Sequence, residues 1–192
     1  MKYLLSFSLL LLLSLSAFAQ SKIDSALQKR ILMMFNNDQK WRIEADKKSA
    51  YDSATINRNM FLADSLNQIA AKSIIAKYGF PGYDLVGEDG SNGFWAIIQH
   101  CDNDVPFQQK ALALMSAEVK RHNASGENFA LLQDRVLVNT GHKQIYGTQV
   151  RVDLKTNKAH PFPIQDSLHV DARRKAVGLM PLQDYLELFE AH

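Results

Sequence analysis

The apolar positions of the chain fall first at helical spacing. Ile23, Leu27, Ile31, Met34, Phe35, Trp41 and Ala45 recur every three or four residues, which predicts an amphipathic helix from Ile23 to about Asp46, with Ser21-x-x-Asp24 as its cap. The polar stretch Lys47 to Thr55 separates it from a second helix, about Asn57 to Tyr78, stopped by Gly79-Phe80-Pro81-Gly82. Five of the chain's nine glycines lie between Gly79 and Gly93 with Pro81, Asp84, Asp89 and Asn92, a composition that predicts a long irregular loop. Phe94, Ile97, Ile98 and Cys101 then share a helical face; the short run 94–98 also suits a buried strand, but helix is favoured. Asp104-Val105-Pro106 opens a further helix that reaches about His122, and Glu127 to Asn139 forms another, ended by Gly141.

Past Gly141 the period changes from about 3.6 to 2. Gln144, Tyr146, Thr148, Val150 and Val152 alternate with Ile145, Gly147, Gln149 and Arg151, which predicts a strand over 144–153. Lys155-Thr156-Asn157-Lys158 makes a turn, and 159–164 a return strand that Pro161 and Pro163 confine to an edge. A lone hairpin is too small to stand by itself, so it must pack on helices. Two short helices, about 168–177 and 181–190, complete a mainly α fold. The expected architecture is one compact helical domain, residues 20–192, with a single β-hairpin at about 144–164.

The start of the chain stands apart. Met1-Lys2-Tyr3, the apolar run Leu4 to Leu15 and Ser16-Ala17-Phe18-Ala19 give the basic start, greasy centre and A-x-A box of a cleavable signal peptide, predicting removal of residues 1–19 and a periplasmic or secreted protein. The run is shorter than the roughly 20 residues of a membrane span, and no second one follows, so no stable membrane insertion is expected after signal removal. A net charge of +2, one less without Lys2, leaves no electrostatic footprint for nucleic acid. The single cysteine, Cys101, can form no internal disulfide and reads as a small buried hydrophobe.

Polar residues on apolar faces carry the functional information. At 100° per residue Asp38 falls inside the stripe of the first helix with Arg42 at its edge, and Asp64 and Asn67 fall inside that of the second. Arg174 lies between Val170 and Val177, and His100 flanks the Phe94/Ile97/Cys101 face. Charges facing a core are costly unless paired, so a shared polar cluster is expected, serving either a buried ion-pair network or a ligand site.

Among the motifs, Gln99-His100-Cys101-Asp102-Asn103-Asp104 offers a general base with an acidic neighbour to fix its tautomer. His100-x-Asp102-x-Asp104 matches no standard zinc spacing, and no metal is assigned. Asp134 and Arg135, adjacent on a helix, point about 100° apart and so serve different partners. Tyr146 and Thr148 share a face with Gln144, and Gly147 predicts a bulge or a close approach. Gly87-x-x-Gly90-x-x-Gly93 lacks dinucleotide-loop spacing, there is no Walker lysine and no G-x-S-x-G elbow, so the cofactor stays unassigned. Asn123-Ala124-Ser125 is formally a glycosylation sequon.

The words Gly79-Phe80-Pro81, Gln99-His100-x-Asp102, Phe107-Gln108, Asp134-Arg135, Gln144-x-Tyr146-Gly147-Thr148-Gln149 and Arg174 with Gly178-Leu179 resemble those of an uncharacterised bacterial family, a domain of unknown function. The resemblance runs from about Asp38 to Tyr185 and implies an exported protein of Bacteroidetes-type bacteria, without an activity. Three functions follow from the residues. One is a hydrolase or lyase for a small polar or envelope-derived substrate, with His100 as base, Asp102 as its orienter, Arg135 or Arg174 stabilising an anion, and Tyr146 and Gln149 positioning. Another is a binding module in which Arg42, Arg135 and Arg174 grip an anionic ligand. The third is a structural envelope protein.

Overall fold

Helix α1 (Ser25–Asp46) begins where the Asp24 carboxylate accepts the Leu27 N–H at 2.9 Å. This is the first element of a computed structural model that describes residues 23–190, so the predicted signal peptide lies outside the described residues. α1 buries Leu27, Ile31 and Asp38. Helix α2 (Ser53–Tyr78) starts four residues before its apolar pattern does, because Asp52, inside the polar stretch, caps it through the Thr55 N–H at 2.7 Å. It buries Ile56, Ala63, Asn67, Ala71, Ile74 and Ile75.

The glycine-rich segment is helical, which corrects the expected loop. Helix α3 (Tyr83–Gln99) runs through it, burying Val86, Gly90, Phe94 and Ile97. The one break is Gly87, at φ 69°, where the helix kinks; a Cβ there would also sit 2.8 Å from Nε2 of Gln28 on α1. Gly90 and Gly93 are buried within the helix, so their lack of side chains serves packing and not irregular backbone.

Helix α4 (Val105–Lys120) has Asp104 as its cap and Pro106 in the first turn. Helix α5 (Gly126–Asn139) is capped by Ser125. Phe80 meets Phe94 edge to face, with centroids 5.7 Å apart, in a core that also fully buries Ile31, Ile74, Ile98, Met115 and Leu132. Asn123, at the sequon, is buried and its amide donates to Asp84 at 2.7 Å, so it is a packing residue beside α3.

The hairpin is shorter than the alternation predicts. Strand β1 (Val150–Asp153) pairs antiparallel with β2 (Lys158–Pro161), Val150 opposite Pro161 and Asp153 opposite Lys158. Residues 144–149 form no ladder with a strand beyond the single bridge of Gln144 to Ile164; the N–H groups of Ile145, Tyr146 and Thr148 turn instead toward the buried Asp134 carboxylate on α5. Gly147 sits at φ 73° in that turn, and a Cβ there would come within 2.8 Å of Ile164 and 2.9 Å of Leu182. Helices α6 (Val170–Ala176) and α7 (Leu182–Glu187) close the chain against this turn. Among the described residues no helix is long and apolar enough to cross a membrane.

Candidate functional site

A cavity of about 430 Å³ opens between the first two helices and the α3–α4 connection. α1 supplies Arg42; α2 supplies Phe61, Asp64 and Ser65; α5 supplies Arg135. His100 enters from the C-cap of α3, where the helix has just unwound, followed by Asp102 and Asn103 of the connection. Helix packing brings side chains from four elements to one hollow.

Beneath the cavity lies Asp38, 1% exposed. His100 Nδ1 lies 3.0 Å from its Oδ1, and because a carboxylate only accepts, that nitrogen carries the proton. Nε2 then has no protein partner among the described residues. Arg42 donates from Nη2 to Asp38 at 3.1 Å and to Asp64 at 2.6 Å, bridging the two carboxylates, and Gln39 Nε2 adds a donor at 2.8 Å. Burial alone would raise the Asp38 carboxyl, but the hydrogen bonds and charges of His100 and Arg42 outweigh it and hold it at about 2. Burial raises Asp64 from its ordinary value, with the Asp38 charge and a hydrogen bond to the Asp38 carboxyl adding to it against the pull of Arg42.

A pH dependence follows. Asp38 ionises lower when folded than its ordinary 3.8, so the unfolded chain takes up the proton first on acidification. The stabilisation, roughly 2 kcal/mol, is complete above the ordinary value and is lost as pH falls through about 2. Urea unfolding at a series of pH values should therefore show the gap between the wild-type chain and Asp38→Asn closing over that range; parallel curves would refute the assignment.

The nearest ligand atoms of Asp38, Asp64 and His100 lie within 4.8 Å of one another, a donor set that suits zinc or manganese. The Arg42 guanidinium already bridges the two carboxylates, so a cation would have to displace it.

Opposite Arg42, Arg135 Nη1 donates to Asp102 Oδ2 at 2.6 Å, while Asp102 Oδ1 accepts from Asn139 at 3.0 Å and Gln108 at 3.2 Å. Asp102 thus serves Arg135. The expected orienting role toward His100 is filled by Asp38, from a different helix.

Other expected site residues form a second, separate polar group. Asp134 is fully buried and accepts from the N–H groups of Ile145 (2.7 Å), Tyr146 (3.1 Å) and Thr148 (3.0 Å) and from the Thr148 hydroxyl (3.1 Å). Gln144 is buried too; its amide donates to the carbonyls of Gln149 and Phe162, and its oxygen accepts the Gln149 N–H at 2.9 Å. The Gln149 side chain donates to Leu131 O and Thr148 Oγ1. Arg174, also fully buried, donates to Met180 O at 2.6 Å and Tyr146 O at 2.7 Å and lies over the Tyr185 ring. Asn67 reaches Met34 O at 3.3 Å and ties α2 to α1.

A family model described as a family of unknown function (DUF6624) matches residues 25–192. The chain belongs to that family. No curated protein and no solved structure matches it.

In this DUF6624 chain the longest word, Q-x-Y-G-T-Q, is built around the carboxylate of Asp134 and the clamp of Gln144, whereas Q-H-x-D supplies His100 and Asp102 to the cavity. Sequence reasoning passed over Phe61, Ser65 and Asn103, which line the cavity. Only their closeness in sequence to Asp64 and Asp102 could have marked them. It also passed over Arg173, whose guanidinium holds the carbonyls of Ile145, Gln165 and Asp166.

Proposed function

We propose that this DUF6624 protein is an exported enzyme of hydrolase or lyase type, acting on a small polar substrate with an anionic group in the Arg42–His100–Arg135 cavity. The observation that carries the reading is the buried Asp38 carboxylate bound to His100 Nδ1, which leaves Nε2 to work at the cavity. A fixed Nδ1–H tautomer makes Nε2 a general base: it takes a proton from water or substrate and returns it to the leaving group. Asp38 stabilises the imidazolium formed in between, and Arg135 holds the anionic group. Cys101 is unsuited as nucleophile, since burial pushes its thiol up to about 12 and its Sγ–H points to Ile97 O. Export rests on the signal-like residues 1–19.

The test combines chemistry with turnover. Diethyl pyrocarbonate, which acylates accessible neutral imidazole nitrogen, should modify His100, read by peptide mass. On a panel of p-nitrophenyl esters, phosphoesters and aminoacyl anilides, His100→Gln should lower kcat/KM by about 10²- to 10⁴-fold in a chain that still folds. An unreactive His100, or a variant as active as the wild-type chain, removes the catalytic reading.

A further inference from the structure

The cavity's unspent hydrogen-bonding capacity is of both signs. Arg135 Nη1 is spent on Asp102, but Nη2 donates to nothing among the described residues. Arg42 Nη1 reaches only the Met60 thioether at 3.7 Å, a weak acceptor. On the acidic side, Asp64 Oδ1 is taken by Arg42 and its one further side-chain hydrogen bond is to the Asp38 carboxyl, which leaves acceptor capacity on a side chain that is 30% exposed. Asp102 has no such reserve, since both its oxygens are occupied.

Charge points the same way. The two guanidinium groups and two carboxylates that line the cavity cancel, and the Asp38 carboxylate behind them adds negative charge. A plain anion must approach Asp64 and Asp102 as like charges; a plain cation must approach Arg42 and Arg135. A molecule with both charges pairs at each end without adding net charge to the site. The volume of about 430 Å³ falls within the range of about 300–1,000 Å³ usual for small-molecule sites, and Phe61, 67% exposed at the rim, offers an apolar surface.

Resting on the reading of this cavity as the substrate site, we infer that its ligand is a small zwitterion of the amino-acid or short-peptide class, its carboxylate on Arg135 and its ammonium on Asp64. Isothermal titration calorimetry of the full chain without its leader tests this with phenylalanine and alanyl-phenylalanine, their N-acetyl forms and their amides. The zwitterions should bind about tenfold tighter than either capped form. The two zwitterions compared with each other separate a free amino acid from a peptide end. Asp64→Asn should erase the preference over the N-acetyl compound, and Arg135→Gln the preference over the amide. N-acetyl forms that bind as well as the free ones overturn the inference and leave a plain anion site. If none of these compounds binds, and neither acetate nor phosphate does, the cavity is not a substrate site and both readings fall. The comparison of ligands on the wild-type chain needs no variant to fold.

Discussion

Replacing Asp134 by alanine is expected to lower stability by roughly 3–5 kcal/mol and the melting temperature by about 10 °C. The carboxylate is fully buried and is the acceptor for three backbone N–H groups of residues 145–148 and the Thr148 hydroxyl. Removing it strands those donors in a dry interior, where each unsatisfied group costs about 1–3 kcal/mol. The damage should spread, because Arg174 and Tyr185 grip the carbonyls of Tyr146 and Thr148 in the same turn, and Arg173 that of Ile145. Asparagine should rescue little. Both Asp134 oxygens accept, Oδ1 from Ile145 and Oδ2 from Thr148, so either amide orientation aims an N–H at an N–H. Chemical unfolding and calorimetry of Asp134→Ala and Asp134→Asn measure this directly. A loss under about 1 kcal/mol for asparagine would mean that the turn does not depend on the charge.

Much of the helical frame could be read from the chain because its signals are local. Asp24, Asp104 and Ser125 each accept an N–H of the turn that follows, and the three- and four-residue apolar spacing needs no knowledge of partners. The glycine-rich stretch misled for a physical reason: glycine marks both irregular backbone and tight helix packing, and composition does not separate them. The alternation at 144–153 misled likewise, since Asp134 turns that backbone inward and only the last four residues pair as a strand. Among the polar residues, helical phase was enough to pick out Asp38, Asn67 and Arg174 as buried. Helical spacing also offers Arg42, four residues on, as the partner of Asp38, and the two pair at 3.1 Å, but the meetings between elements were not legible. Asp38 joins His100 across 62 positions of sequence, while Asp102, two residues from His100, turns to Arg135. Partnership of that kind is set by helix packing, which a single sequence does not encode locally.

Asp38→Asn is expected to lower turnover on any substrate found for the cavity by about 10²- to 10⁴-fold while the chain stays folded. Asp38 Oδ1 accepts from both His100 Nδ1 and Arg42 Nη2, and Oδ2 from Gln39 Nε2, so an amide either keeps its oxygen between His100 and Arg42, without the charge that stabilises the imidazolium, or turns its NH₂ toward both. With the NH₂ facing the ring, Nδ1 becomes the acceptor and the proton moves to Nε2, which removes the lone pair that acts as base. Stability also falls, since Arg42 keeps only Asp64 as an ionised partner, so loss of activity alone would not separate orientation from simple damage. Two further measurements do. Diethyl pyrocarbonate should react more slowly at His100 of the variant in either orientation, and nitrogen NMR reads which one is taken, Nδ1–H with the oxygen toward the ring and Nε2–H with the NH₂ toward it. The double variant Asp38→Asn/His100→Gln should be no less active than His100→Gln alone, because residues that act as one unit are not additive. Equal imidazole reactivity in both chains, or additive losses in the double variant, would reduce the Asp38–His100 pair to a buried contact between α1 and the end of α3.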